Sequence, residues 1–288
     1  MTVPAFDRRT TPARPDLAAA HLRGQVEAER FVAGESRSVL AASAPLRRDP
    51  RTDCRLDSEA LRGEALTVYD VTSEGWAWVQ LARDGYCGYL PAEALGDPEQ
   101  TTHRVAALRT LVFPGPDLKL PIAGALTLGS AVLVHEIVGS YGRIREGYVP
   151  LKHLAPSDSQ EPDYVAVAER FLHVPYLWGG RTSLGLDCSG LVQVALAAAG
   201  QAAPRDSDMQ EHALGQKLAA NEPHRRGDLV FWPGHVGVMR DSETLLHANA
   251  HAMMVTSEPL EEVRHRILAF TGAGVSAVKR LSPPGERA

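Results

Sequence analysis

Cys188, His235 and His247 have the side chains that nucleophilic acyl transfer needs. Cys188 lies in Leu186-Asp187-Cys188-Ser189-Gly190, directly ahead of an Ala/Leu/Val run that ends at Gly200. The run from Ser189 to Ala199 contains no Pro and no charge, which predicts a buried helix stopped by Gly200. With Asp187 or Ser183 as its cap, Cys188 falls in the first turn. The partial positive charge of a helix start favours a thiolate, and a lowered thiol pKa makes a cysteine a nucleophile. The neighbouring glycines let backbone N–H groups approach a developing oxyanion. An isolated free cysteine is more often a small core hydrophobe. Polar Asp187 and Ser189 beside it argue for chemistry.

A thiolate needs a base, and the base needs a partner to orient it. The segment "RGDLVFW" at 226–232 reads as a turn and a short strand, Pro233-Gly234 turns the chain, and "HVGVM" and "DSETLLHAN" follow. The last two read as a hairpin around Arg240–Glu243. His235, Gly237 and Met239 share one face, as do Leu245, His247 and Asn249. A loop centred on Asp241 would set His235 directly opposite His247, with Cβ atoms about 5 Å apart. One imidazole would then serve the sulfur and the other would hold its ring.

Taken in order, "PYLWGG…LDCSGLV", "GDLVFW…GHVGV" and "LLHAN" resemble the NlpC family of papain-like cell-wall cysteine peptidases. The resemblance covers roughly the last 120 residues, and the ordered combination is more specific than any one piece. It implies a triad of Cys188, His235 and His247, with Tyr176 shaping the oxyanion site. It also implies substrate contacts from Asp187, Ser189 and Ser207. No metal and no other cofactor are expected. A zinc site using Cys188, His235, His247 and His251 is the contrasting reading. It lacks the Glu and the helix that this His spacing has in zinc peptidases.

These residues must be positioned by the rest of the chain. Its 288 residues exceed one average domain, and a net charge of −5 gives no basic surplus for nucleic acid. Three cysteines, Cys54, Cys87 and Cys188, imply no disulfide framework. No apolar run approaches the roughly eighteen residues of a membrane span. The N-terminal residues lack the basic-then-apolar pattern of a secretory signal, which sets the expectation of a cytoplasmic protein. Pro4, Pro12 and Pro15 mark an extended lead-in, and 17–33 is predicted as a helix with Asp16 as cap and Gly34 as stop.

From Glu59 onward short alternating runs read as strands, and they repeat. "GYLPAEAL" at 88–95 recurs as "GYVPLKHL" at 147–154, and "LRGEALTV" at 61–68 is echoed by "TLGSAVLV" at 127–134. Two copies of one fold are expected. They resemble bacterial SH3-like barrels. In relatives with two such barrels, the first closes one end of the peptidase cleft and binds the substrate's free amine. Glu64 and Tyr86 are the matching acidic and aromatic residues.

The expected architecture is α+β. A papain-like cysteine peptidase domain at 160–282, its Cys-bearing helix packed on an antiparallel sheet, follows a lead-in and helix at 1–50 and SH3-like barrels at 51–98 and 99–156. The implied activity is hydrolysis of the γ-D-glutamyl–L-diamino acid bond of murein peptides with a free N-terminal L-Ala, in cell-wall peptide recycling. Diaminopimelate and lysine both remain open at the diamino position. An amidase or acyltransferase of the same fold is the alternative. A binding module with a dead catalytic domain is disfavoured by the presence of all three triad residues.

Overall fold

The computed structural model describes residues 6–219 and 221–282 and divides into two compact units, Met1–Ser159 and Gln160–Ala288. Pro4 lies outside the described residues. Among them no helix is long and apolar enough to cross a membrane.

The first unit opens differently from expectation. Instead of a helix over 17–33, Leu17–Ala19 is a strand paired in parallel with Arg30–Val32, with a 3-10 turn at Ala20–Leu22 between them. Leu17, Ala18 and Ala19 are all fully buried. The extended form is the one that lets all three residues pair with Arg30–Val32. Arg14 ties the segment down, with its guanidinium over the Trp78 ring at 4.4 Å and bonded to Asp70 at 2.7 Å. Tertiary packing overrides the helix propensity here.

A seven-stranded antiparallel sheet follows, with Glu35–Val39 and Ser43–Arg47 already part of it. The first β module therefore begins well before the expected boundary at residue 51. Its core is built from Val39, Leu46, Leu66, Val79, Tyr86 and Leu90, among others. A second β module spans the strands from His103–Val105 to Leu154–Pro156 around Val105, Val112, Leu126, Val132, Ile144 and Val149.

The sequence repeat reappears as a repeat of backbone bonds. Gly63 N–H donates to Val39 O and Val39 N–H to Glu64 O, both within 3.0 Å; Gly129 and Val105, then Val105 and Ser130, make the same pair of bonds. Gly63 and Gly129 have φ of +82° and +88°, the left-handed conformation that glycine adopts without penalty. In each copy the Tyr-apolar-Pro strand runs into a 3-10 turn, at Ala92–Ala94 and Leu151–His153. Arg62, 1% exposed, joins the modules by bonding Glu99 and Glu146, each at 2.8 Å.

The second unit holds a six-stranded sheet in the order Gln216–Lys217, Ala277–Arg280, Leu229–Trp232, His235–Met239, Thr244–Asn249, Met254–Pro259, with every neighbouring pair antiparallel. Helix α1 (Tyr164–Glu169) is capped by the Asp163 carboxylate. Helix α2 (Cys188–Ala198) packs on the strands of His235 and His247. It is apolar on nearly every side and is buried accordingly. A short α3 (Ser207–Ala213) follows. Helix α4 (Leu260–Thr271) covers the sheet face that carries Trp232, Met239 and Leu245 through Leu260 and Val263. Side-chain alternation turns Val236, Val238, Leu246 and Ala248 to the other face, and all four are buried.

Candidate active site

Asp187 caps α2, its carboxylate accepting Gly190 N–H at 2.7 Å and Gly179 N–H at 2.8 Å. Gly200, with φ of +73°, ends the helix region as expected. A side chain at Gly190 is excluded, because its Cβ would lie 2.4 Å from Gly180 O. The Gly179-Gly180 loop is thereby held against the helix start.

Arg205 completes this corner. It grips Asp187 with two bonds of 2.9 and 2.8 Å and reaches Ser189 Oγ at 2.9 Å. Gln210, on α3, donates to Ser189 O and Pro204 O, each at 2.9 Å. Asp187 and Ser189 are thus engaged in a buried network that fixes the cysteine's backbone. Sequence reasoning did not foresee Arg205 or Gln210. Ser207 is half-buried at the start of α3.

The Cys188 sulfur faces the N–H groups of Val236, the residue next to His235, and of Ser189. The expected lowering of its pKa is not found. Burial pushes the thiol up to about 12, and the Asp187 carboxylate adds to it. The two N–H groups and Arg205 act in the opposite direction but are outweighed. Tyr176 is half-buried, and burial, then Cys188 and Asp187, raise its hydroxyl pKa.

The hairpin forms with strands His235–Met239 and Thr244–Asn249, in a different register from that expected. Val238 pairs with Leu246 and Met239 with Leu245, so the turn is centred one residue later and Gly237 falls opposite His247. His235 reaches His247 diagonally, a spacing that large rings bridge. Nε2 of His235 lies 2.8 Å from Nδ1 of His247, with the ring planes at 67°. Burial, with His247 and Arg266 contributing, lowers His235 to about 3, so its ring is neutral at neutral pH. Burial also lowers His247.

Behind His247 stands Glu258, whose Oε1 is 3.1 Å from His247 Nε2. It comes from the strand Met254–Pro259, which pairs with the His247 strand. The bond to His247, then those from Arg266 and Thr256, hold its carboxyl far below the usual range. The signal in the sequence was the alternation of Thr256 and Glu258, once 254–259 is recognised as a strand beside His247.

Glu64 and Tyr86 have partners within the first unit. The Glu64 carboxylate pairs with Arg83 at 2.6 Å and accepts Leu61 N–H at 3.1 Å, and Tyr86 is 6% exposed in the core of the β module. Among the described residues no three His, Cys, Asp or Glu side chains converge as a metal-ligand set. His251 is exposed.

Comparison with known proteins gives two matched regions. Residues 173–268 match the NlpC/P60 family, and residues 46–95 match the bacterial dipeptidyl-peptidase SH3 domain. The chain is 25% identical to a dipeptidyl-peptidase 6 from Lysinibacillus sphaericus over 248 residues, covering 78% of this chain and 91% of the relative. It is 24% identical over 207 residues to a γ-D-glutamyl-L-lysine dipeptidyl-peptidase from Bacillus cereus, covering 62% of this chain and 60% of that protein. A crystal structure of an NlpC/P60 family protein from Bacillus cereus superposes with a TM-score of 0.73 at 18% identity, over 86% of this chain and all of that one, 100%. At that identity the likeness shows a shared fold.

Proposed function

Given that the chain carries an NlpC/P60 peptidase domain and a bacterial SH3 domain, we propose that it is a cysteine peptidase that cuts the γ-D-glutamyl–L-diamino acid bond of murein peptides. The observation that carries this reading is the placement of the Cys188 sulfur against Val236 N–H, with His235 and His247 joined at 2.8 Å one residue away along the strand. The name of the Bacillus cereus relative supports the γ-D-glutamyl substrate class. The matched bond pattern of the two β modules supports a second SH3-like barrel at 103–156.

The resting pair in this reading is a neutral thiol and a neutral imidazole. His235 uses Nε2 toward His247, so Nδ1 is the nitrogen that serves the sulfur. As Sγ attacks the γ-carbonyl carbon, Nδ1 takes the thiol proton, and the oxyanion forms beside backbone N–H groups and Tyr176. Collapse breaks the C–N bond. The protonated His235 hands its proton to the leaving amine, and a thioester to Cys188 remains. Water, deprotonated by His235, then releases the acid and restores the thiol.

The reading includes a requirement for a free N-terminal amine, as the term dipeptidyl-peptidase denotes for the relatives. The test is incubation with L-Ala-γ-D-Glu-diaminopimelate, its lysine counterpart and their N-acetylated forms, with products read by mass spectrometry. The free peptides should yield L-Ala-D-Glu and the diamino acid, and acetylation should lower kcat/KM by about one to two orders of magnitude through loss of a charge-assisted contact. Absence of any cleavage would overturn the substrate assignment. Equal cleavage of free and acetylated peptides would overturn the amine requirement alone.

A further inference from the structure

We propose that Glu258 is a positioning residue for the histidine pair, its carboxylate setting the tautomer of His247 and, through it, that of His235. The inference rests on the reading of His235 as the base for Cys188.

His247 is opposed by Thr256 in the sheet, and Glu258, two residues on, shares that face. Glu258 Oε1 is 3.1 Å from His247 Nε2 and accepts the Thr256 hydroxyl at 2.6 Å, while Oε2 pairs with Arg266 at 2.7 Å. An ionised carboxylate only accepts, so His247 must carry its proton on Nε2. In the neutral ring Nδ1 is then a lone pair. That lone pair can accept only if His235 is protonated on the facing Nε2, 2.8 Å away. Nδ1 of His235 is left as a lone pair, which is the form a base for the thiol requires.

One neighbour favours the opposite tautomer. Asn249 Nδ2, a donor, lies 3.3 Å from the same His247 Nε2. It has a shorter acceptor in Thr256 Oγ1 at 2.7 Å, and its amide orientation is fixed because Oδ1 accepts Ala252 N–H at 2.8 Å. The amide therefore feeds the network through Thr256 to Glu258. The charge-assisted bond to the carboxylate prevails at His247. Burial keeps both imidazoles neutral, with Arg266 also opposing their protonation, and the bonds to His247 and from Arg266 keep Glu258 ionised.

The test reads the tautomers directly. Long-range ¹H–¹⁵N correlation spectra of the histidine-labelled full chain at neutral pH should show both His235 and His247 protonated on Nε2 and bare on Nδ1. Glu258→Gln can offer an amide donor to His247 Nε2, so His247 should shift toward protonation on Nδ1. kcat on the murein tripeptide should fall about 10- to 100-fold, as for other residues that orient a functional histidine, with KM little changed. Arg266→Gln, which leaves the carboxylate in place, should keep the native tautomers. A native spectrum with His247 protonated on Nδ1 would overturn the proposal and needs no variant. So would a Glu258→Gln protein with native tautomers and native kcat, or one changed only in KM. Should the native protein fail to cleave the peptide, the functional reading falls, while the spectrum still decides the role of Glu258.

Discussion

At the sulfur of Cys188 two influences compete, and their balance shapes the expected kinetics. The helix start and the Val236 N–H favour a thiolate, while burial disfavours any charge and holds the thiol at about 12. With His235 lowered to about 3, the proton moves only as the sulfur attacks. The base then stays active well below the ordinary imidazole range, so kcat/KM should hold level as the pH is lowered from about 7 to about 5.5. A half-loss near pH 6.5 would contradict the assignment. Stability carries the opposite sign in acid. The unfolded chain protonates these imidazoles below about 6.5 and the folded chain resists it, so Tm should fall as the pH drops through that range and on toward 3. His235→Ala should cost nearly as much rate as loss of the nucleophile. His247→Ala should be milder, because it orients the ring and does not itself transfer the proton.

Among the elements, α2 depends on the segment that clamps its start. Arg205 is 1% exposed and its partner Asp187 lies with it in the interior. Arg205→Met leaves a carboxylate buried without its counter-charge, which costs about 3–5 kcal/mol. Denaturant unfolding should show that loss, and the pair Asp187→Asn with Arg205→Met should lose less than the sum of the two single changes. The sequence revealed α2 itself, since its apolar run, its Asp187 cap and its Gly200 stop are local signals. The two histidine strands were equally legible from alternation and from Pro233-Gly234. Their register was not, because one residue in the turn decides it and either centre leaves the same residues on the same face. Arg205 lies 17 residues along the chain from Cys188 and Glu258 lies 11 from His247, and only the folded chain brings them near. The segment 17–33 misled for a related reason. Its Leu and Ala content suits a helix, but Leu17–Ala19 is buried and paired in parallel with Arg30–Val32, a long-range contact that local composition does not encode.

On the scale of the whole molecule, the repeat that was visible as two pairs of short strings becomes two β modules sharing one buried arginine. Arg62 answers Glu99 and Glu146 at once, and Ala131 N–H donates to Arg62 O at 2.8 Å. Arg62→Ala should lower the stability of the first unit by about 1.5–3 kcal/mol, measured by urea unfolding, because the partly exposed Glu99 and Glu146 lose a charge-assisted partner. A change within 0.5 kcal/mol, the ordinary range for a surface site, would show that the joint is dispensable. The catalytic account itself rests on a single sulfur. The most direct measurement is kcat for Cys188→Ala beside the native protein on L-Ala-γ-D-Glu-diaminopimelate, with far-ultraviolet circular dichroism to verify that both are folded. A folded variant whose turnover is lower by about 10³-fold or more is the predicted result; a folded variant that still cleaves the peptide within about tenfold of the native rate would contradict the thiol mechanism.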